Sequence, residues 1–167
     1  MQDELTQVEI QKMQEEINYR KEVLAPQLRA AVKSAKELGD LSENDEYHSA
    51  KRDMNKNNSR IAYLQSMINT AVVISTDSRE DEIGLFDEIE IHYDNDDETR
   101  KIRIVTTLRN DVLKGCISKE SPLGMALLGH KVGDTVTIKV NDKISYPVTV
   151  ISIKKGTDDE TLEISKY

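Results

Sequence analysis

Residues 39–71 read GDLSENDEYHSAKRDMNKNNSRIAYLQSMINTA, and this stretch decides the fold of the first half of the chain. One series of residues starts at Tyr47 and recurs every seven positions, and a second starts three positions later at Ala50. The members of the two series are Tyr47, Met54, Ile61, Ile68, Ala50, Asn57, Leu64 and Ala71. A repeat of this kind predicts a coiled-coil helix with an a/d seam. Asn57 interrupts the seam at a d-type position, where a polar side chain can fix the helix register at some cost in stability.

The chain before Gly39 carries a second helical pattern. Its apolar residues follow three, four and seven spacing, with a phase change around Lys21–Leu24. They are Ile10, Met13, Ile17, Leu24, Leu28, Ala31, Ala35 and Leu38. Pro26 lies inside this run and removes a helix hydrogen bond, so we expect a kink at that point.

The connection between the two patterns is short. Gly39 is a suitable stop for the first helix, and Ser42 followed three residues later by Asp45 predicts the N-cap of the second. A connection of this length forces neighbouring helices to run antiparallel. Residues 1–72 are therefore predicted to form an antiparallel two-helix coiled-coil hairpin with an acidic tip near 39–46. Arms of roughly thirty residues at ~1.5 Å per residue make it about 45 Å long.

The pattern changes from residue 73 onward. Alternating apolar residues predict strands of an antiparallel sheet, and the segments concerned are Glu88–Tyr93, Lys101–Val105, Thr135–Val140 and Tyr146–Ile153. Ser121 and Pro122 predict the start of a short helix that runs to Leu128 and stops at Gly129. Residues 73–167 are therefore predicted to form an α+β domain, with a mobile tail over 156–167.

Composition narrows the possible functions. The chain has 167 residues, one cysteine (Cys116) and a net charge of -8, which divides as -2 on residues 1–72 and -6 on residues 73–167. A single cysteine excludes a disulfide framework, and the N-terminal residues lack a secretory pattern. No apolar run approaches twenty residues. We therefore expect a cytoplasmic protein, and the excess of acids argues against an autonomous nucleic-acid binder.

The predicted tip carries four carboxylates, those of Asp40, Glu43, Asp45 and Glu46. One interpretation is a solvated turn whose acids complement the helix dipole. The other places Asp40 just before the second helix and Glu43 in its first turn, so that both project from the end of the hairpin as metal ligands. Mg²⁺ is usually bound through one or two carboxylates plus phosphates and waters. Such a pair would suit a site completed by another protein.

Two segments carry a resemblance to a known family. Residues 39–51 (GDLSENDEYHSAK) resemble the tip pattern G-D-L-[SK]-E-N-A-E-Y-x-A-A of the GreA/GreB family of bacterial transcript-cleavage factors. Residues 117–134 (ISKESPLGMALLGHKVGD) resemble the family segment I-S-x-x-S-P-[IL]-G-x-A-L-L-G-x-x-x-G-D. The match covers about residues 6–154 in order. It implies a coiled-coil hairpin followed by an FKBP-like domain.

The resemblance also implies a function. The chain is expected to bind RNA polymerase through its secondary channel and to stimulate Mg²⁺-dependent cleavage of the 3′ end of backtracked transcripts. It would not be an enzyme by itself. Asp40 and Glu43 match the family's catalytic acids and would hold a Mg²⁺ shared with the polymerase, with no metal bound stably alone. The expected partners are RNA polymerase and the 3′ end of the nascent RNA, with no membrane and no second copy of the chain.

Basic side chains flank the acidic tip. Lys36, Lys51 and Arg52 are either ordinary surface charge or contacts to phosphates of the RNA 3′ segment. Ser121 and Pro122, in the second segment of resemblance, are expected to contact RNA polymerase.

Two further functions stay open. Asp45 stands where the family usually has Ala, which keeps open a non-catalytic regulator that binds the polymerase channel. A prolyl isomerase or chaperone would fit an FKBP-like fold, but its site needs an aromatic-lined pocket. Residues 73–167 offer only Phe86, Tyr93, Tyr146 and Tyr167.

Overall fold

The computed structural model of the protein describes residues 3–39, 43–158 and 161–164. Tertiary contacts divide the chain into two compact units, Met1–Val73 and Ile74–Tyr167. None of the helices in the described ranges is long and apolar enough to cross a membrane.

The first unit is the predicted helical hairpin. Its elements are β1 (Glu4–Leu5), α1 (Gln7–Tyr19), a π-helical segment (Arg20–Leu24), α2 (Ala25–Lys36), α3 (Asp45–Thr70) and β2 (Val72–Val73). Side-chain hydrogen bonds join Glu16 to Arg60, Arg20 to Asn57 and Ala35 to Asn44. As residue numbers rise along the first arm they fall along α3, so the arms are antiparallel, as predicted.

The phase change in the first arm is confirmed by the π-helical segment. Ile17 and Ala25 are both buried although they lie eight residues apart, whereas two α-helical turns hold about 7.2 residues. The wider turns of Arg20–Leu24 absorb the extra residue and keep both flanks on the seam. Pro26 follows in the first turn of α2, where its missing N–H is tolerated. The predicted phase change thus takes the form of a π-helical segment that ends two residues before Pro26, and the kink expected at Pro26 stays a prediction.

The start of α3 differs from the prediction. Asn44, rather than Ser42, is the N-cap, and its Oδ1 accepts a hydrogen bond from the backbone N–H of Tyr47 at 3.0 Å. Its Nδ2 also donates to the carbonyl of Ala35 on the other arm at 2.6 Å. This second bond is a tertiary contact that no local pattern indicates. Ser42 lies outside the described residues.

The base of the hairpin holds two features that the sequence did not predict. Thr6 and Glu9 form a capping box at the start of α1: Thr6 Oγ1 accepts from the Glu9 N–H at 3.2 Å, and Glu9 Oε2 accepts from the Thr6 N–H at 2.9 Å. β1 and β2 pair in parallel beside it. Strands of two residues are too short to produce an alternating pattern.

The second unit is α+β, as predicted. Its elements are β3 (Glu88–Tyr93), β4 (Glu98–Val105), two 3₁₀ turns (Thr107–Arg109 and Val112–Lys114), β5 (Cys116–Ser118), α4 (Pro122–Leu127), β6 (Thr135–Lys139) and β7 (Ser145–Lys154). The sheet order is β5-β4-β3-β7-β6, and all neighbours are antiparallel except β4 and β5. The parallel strand β5 was not predicted.

The core of this unit lies between the sheet and α4. It consists of the buried side chains of Ile83, Ile89, Ile91, Ile102, Ile104, Leu127, Ile138, Val148 and Val150. Ser121 is the N-cap of α4, as predicted, and its Oγ accepts from the Gly124 N–H at 3.0 Å. A Cβ on Gly124 would lie 2.2 Å from the Ser118 carbonyl oxygen. α4 therefore packs against the end of β5 at backbone distance.

The described part of the tail contacts this unit. Asp158 forms an ion pair with the fully buried Arg109, whose guanidinium also lies 5.3 Å from the centre of the Phe86 ring. Leu162 packs against a small cluster that includes Phe86 and Cys116. The mobility of residues 156–167 stays a prediction, and residues 159–160 and 165–167 lie outside the described ranges.

Candidate functional site

The acidic tip is described from Glu43 onward. Glu43 is exposed and immediately precedes the N-cap Asn44. The prediction that Glu43 lies in the first turn of the helix is therefore wrong, because Asn44 takes the capping position. The acids in the first turn are Asp45 and Glu46. Asp40 lies outside the described residues, so its place beside Glu43 stays a prediction.

The described residues around Glu43 leave its carboxylate available to a partner. It forms no ion pair with any residue in the described ranges, and the positive end of the α3 dipole lies next to it. A carboxylate is the hard oxygen donor that Mg²⁺ prefers. Within those ranges no three His, Cys, Asp or Glu side chains converge to form a metal site. Exposed acids at the start of a helix, with no metal site of their own among the described residues, suit a site that another molecule completes.

Two of the predicted basic contacts meet on one aromatic ring. Lys36 Nζ lies 5.7 Å and Lys51 Nζ 5.8 Å from the centre of the Tyr47 ring, which is within cation–π range. The His48 ring lies 5.4 Å from the same ring. Tyr47 was predicted as a seam residue, and its part-buried position agrees with that. Its contact with Lys36 on the other arm was not predicted, because that contact depends on the register between the two arms.

The third predicted basic contact, Arg52, is exposed on α3. It lies one position after Lys51, so it projects from a different side of the helix. The described part of the tip therefore presents three exposed acids, Glu43, Asp45 and Glu46, with the ammonium groups of Lys36 and Lys51 near the Tyr47 ring.

Ser121 and Pro122 differ in what they offer a partner. The Ser121 hydroxyl donates to the Ser118 carbonyl at 2.7 Å and accepts from Gly124, so it is engaged in capping α4. Pro122 is exposed, and Met125 on the same short helix is 66% exposed. An apolar contact surface exists at this place, to which Ser121 contributes by fixing the helix start.

A polar cluster of Glu16, Arg20, Asn57 and Arg60 lies further along the hairpin. Arg60 donates to Glu16 through Nε at 2.9 Å and through Nη2 at 3.2 Å. Arg20 Nε donates to the same carboxylate at 2.8 Å, and Arg20 Nη1 donates to Asn57 Oδ1 at 3.0 Å. Burial alone would raise the pKa of Glu16, but the hydrogen bonds and charges of Arg60 and Arg20 hold it below its ordinary value. The seam pattern singled out Asn57 alone of these four, and Arg60 lies where the GreA/GreB family has a similar residue.

Comparison with known proteins covers both units. Residues 4–73 match the family model described as "Transcription elongation factor, N-terminal", and residues 77–155 match the one described as "Transcription elongation factor, GreA/GreB, C-term". The chain is 38% identical to transcription elongation factor GreA of Limosilactobacillus fermentum over 86% of this chain and 90% of the relative. It is 37% identical to that of Thermotoga sp. strain RQ2 over 90% of this chain and 97% of the relative.

A solved structure shows a weaker likeness. The GreA factor homolog 1 (Gfh1) protein of Thermus thermophilus matches at 24% identity, over 93% of this chain and 100% of that one. The TM-score is 0.42.

Proposed function

The chain belongs to the GreA/GreB family of transcription elongation factors, and from that premise we propose that it stimulates RNA polymerase to cleave the 3′ end of backtracked transcripts. In this proposal the hairpin enters the secondary channel of the polymerase and brings its acidic tip to the polymerase active site. The factor is a donor of side chains to that site rather than a nuclease. It acts as a single copy.

One observation carries the proposal. Glu43 is an exposed carboxylate immediately before the N-cap of α3, it has no ion pair with a described residue, and it occupies the position that matches a catalytic acid of the family. The Asn44 cap, which bonds to both arms, fixes the backbone next to it. A carboxylate held in this way can be delivered to a site on another protein with little ordering cost.

Asp40 and Glu43 would together hold a Mg²⁺ shared with the polymerase and orient the attacking water. When bound, this ion supplies the second half of a two-metal clamp on the attacking and leaving oxygens. Oxygen donors suit Mg²⁺, and two of them leave room for water and RNA phosphate. Lys36 and Lys51 lie behind the tip, where they can hold phosphates of the extruded RNA.

Docking on the polymerase would use the second unit. We assign the contact to Pro122, supported by Ser121 as the cap that fixes its helix. Pro122 and Met125 form an exposed apolar surface on α4, and burial of such surface is the main source of affinity in protein interfaces. Separate docking and catalytic elements allow binding and cleavage to be tested independently.

The test uses a stalled, backtracked polymerase complex with a 3′-labelled transcript and Mg²⁺. The wild-type chain should release a labelled 3′ fragment. Asp40→Asn and Glu43→Gln should each lower the cleavage rate by about 100-fold or more, the scale expected when a group acting only in the transition state is lost. Polymerase affinity should stay within about twofold, because neither acid belongs to the docking surface.

Glu46→Gln is the matched control. Glu46 is an exposed acid in the first turn of α3, so the change in charge is the same, and the cleavage rate should stay near that of wild type. A Glu43→Gln chain that cleaves as fast as wild type would refute the proposed role of the tip.

A non-catalytic regulator of the polymerase channel is the second candidate. The observation that favours it is Asp45, an extra carboxylate in the first turn of α3, whose negative charge repels RNA phosphate. A wild-type chain that binds the backtracked complex and slows it without releasing a fragment would establish this alternative.

A further inference from the structure

One member of the polar cluster of Glu16, Arg20, Asn57 and Arg60, namely Asn57, lies where the heptad pattern would place an apolar side chain. Asn57 is 3% exposed and Arg60 is 7% exposed. Polar groups buried in a helix seam stabilise less than apolar ones. A single buried polar residue in a coiled coil instead specifies register. The cluster is therefore a candidate for setting how the two arms align.

Because of the π-helical segment, the alignment of the two arms depends on where the first arm takes up an extra residue. The first arm contains one residue more than a regular α-helix would need, and Arg20–Leu24 absorbs it. If the extra residue were taken up at another turn, the chain between the two places would rotate by about 100° and shift by ~1.5 Å. The place of the π-helical segment thus decides which face α2 presents to α3.

Asn57 contacts the residue at which the π-helical segment begins. Its Nδ2 donates to the Arg20 carbonyl at 3.3 Å, and its Oδ1 accepts from Arg20 Nη1 at 3.0 Å. The same Arg20 carbonyl accepts the N–H of Ala25, the i→i+5 bond that defines the segment. One side chain on α3 therefore binds both the backbone and the side chain of the first residue of the segment.

Glu16 and Arg60 fix the neighbouring turn. The guanidinium of Arg60 reaches the two oxygens of Glu16 at 2.9 and 3.2 Å, and Arg20 donates to one of these oxygens. A two-pronged pair of this kind is restrictive in geometry. It joins α1 to α3 on the side of the π-helical segment away from the tip.

The contacts at the tip require the observed alignment. The Asn44 amide reaches the Ala35 carbonyl at 2.6 Å, and Lys36 lies over the Tyr47 ring. Ala35 and Lys36 belong to α2, beyond the π-helical segment. A rotation of α2 would separate both pairs and move the backbone that leads to Glu43.

We propose that the polar cluster, with Asn57 at its centre, is a positioning device: it holds the π-helical segment opposite Asn57 and thereby sets the register in which the hairpin presents its tip. The consequence for transcript cleavage rests on the proposed function, whereas the consequence for hairpin register does not. Asn57 is a positioning residue in this scheme, because it touches neither metal nor RNA.

Register is measured by pulsed electron spin resonance between spin labels at Gln27 and Asp53, two exposed positions on opposite arms. The native thiol is removed by Cys116→Ala. The wild-type register should give one narrow distance. Asn57→Leu, which makes the seam apolar, should keep the helical circular dichroism but broaden or shift the distribution, because a displacement by one residue rotates the helix by about 100° and moves it by ~1.5 Å. Asn58→Leu, the same change at an exposed neighbour, should leave the distance unchanged.

Cleavage kinetics give the second readout. At saturating factor, Asn57→Leu should lower the cleavage rate between about 10-fold and 100-fold, because small misplacements of reacting groups have effects of that size. The factor concentration for half-maximal effect should change by less than about twofold. Asn57→Asp, which can still accept from Arg20, should recover most of the rate. A merely structural role would not separate rate from affinity in this way.

A wild-type distance distribution in Asn57→Leu would overturn the inference, whatever the cleavage rate. Should Asn57→Leu fail to fold, Arg20→Met removes the side-chain bonds from Arg20 to Asn57 and Glu16 and keeps the bond from Asn57 to the Arg20 carbonyl. An unchanged distance distribution in Arg20→Met would overturn the inference equally. If the wild-type chain does not stimulate cleavage, the proposed function fails while the distance measurement still decides the register.

Discussion

Asn44 connects the two arms of the hairpin at the residue scale, since its side chain bonds to the Tyr47 N–H of α3 and to the Ala35 carbonyl of the first arm. Asn44 is therefore both a helix cap and a tertiary contact between the arms. Glu43 is attached directly to it. The geometry of the candidate catalytic acid thus depends on one amide side chain.

Asn44→Ala should lower the free energy of unfolding by about 1 kcal/mol for the lost cap, and by up to about 1 kcal/mol more for the second bond. Urea unfolding followed by circular dichroism at 222 nm measures this. Asn58→Ala, at an exposed position of the same helix, should change the value by less than about 0.5 kcal/mol. Equal effects of the two changes would contradict the capping role.

The Glu16 carboxylate should make the hairpin sensitive to acid. Arg60 and Arg20 hold its pKa below the ordinary 4.5 despite burial, so the folded state binds the proton less readily than the unfolded state. Its contribution to stability is complete above pH 4.5 and is lost as the pH falls through the folded pKa. The difference in unfolding free energy between wild type and Glu16→Gln should therefore be largest near pH 6 and shrink towards pH 3.

Urea unfolding of the wild-type and Glu16→Gln chains at each pH measures this difference. Other carboxylates titrate alike in the two chains, so the difference isolates Glu16. A difference that stays constant from pH 6 to pH 3 would contradict the role of the ion pairs.

The sequence predicted some of these residues and not others for a physical reason. Asn57 was visible because it breaks a repeat, and Ser121 because a cap precedes a proline. Asn44 was missed in favour of Ser42, since both residue types can cap a helix and the bond from Asn44 to Ala35 gives no local signal. Arg20 and Glu16 carry no local signal, because their roles depend on which residues of α3 lie opposite.

At the scale of elements, α4 depends on a close approach of two backbones. Gly124 sits against the end of β5, and a Cβ there would lie 2.2 Å from the Ser118 carbonyl oxygen. The exposed Pro122 surface is carried by this short helix. Its position follows from the absence of a side chain at Gly124.

Gly124→Ala should destabilise the second unit by about 1–3 kcal/mol, because the strand end or the helix must move. It should also weaken polymerase binding more than it affects the cleavage rate at saturation. Thermal unfolding and a binding titration measure the two effects. Met125→Ala, at the exposed next position, should leave the melting temperature unchanged, and a Gly124→Ala chain of wild-type stability would contradict the close contact.

The tail segment is tied to the sheet domain by a buried ion pair. The Arg109 side chain is fully buried and that of Asp158 is 9% exposed. Removing one partner leaves a buried charge, so Asp158→Ala should destabilise this unit by about 3 kcal/mol. Asp142→Ala, at a fully exposed acid 4.0 Å from Lys139, should have an effect below about 0.5 kcal/mol. Similar melting temperatures for both variants would show that the tail contact is weak.

Elements with a long repeating pattern were predictable. α3 and the strands β3, β6 and β7 were placed within two residues, because heptads and alternation extend over enough positions. β5 has three residues and pairs in parallel with β4, and the pair of β1 and β2 has two residues each. These depend on distant partners. The phase change at Lys21–Leu24 was visible, whereas its resolution as a π-helical segment needed the facing helix.

Charge limits what the whole molecule can do alone. The chain has a net charge of -8, and acidic proteins repel the phosphate backbone on which nucleic-acid affinity depends. The ordered lysines behind the tip are too few to reverse this. RNA should reach the tip only inside a polymerase that already holds it.

The full chain with Mg²⁺ and labelled RNA, but without polymerase, should therefore show no cleavage and no retention of the RNA in a gel-shift measurement at low salt. Adding polymerase in a backtracked complex should restore cleavage. Fragment release by the factor alone would contradict the assignment as a donor of side chains.

The central claim is that the hairpin tip supplies metal ligands to the polymerase. The most direct test is the Mg²⁺ dependence of the single-turnover cleavage rate in a backtracked complex at saturating factor, compared between wild type and Glu43→Gln. Loss of one carboxylate ligand should raise the Mg²⁺ concentration for half-maximal rate by about tenfold or more. Glu46→Gln should keep the wild-type midpoint. A Glu43→Gln chain with the wild-type Mg²⁺ midpoint would contradict the claim.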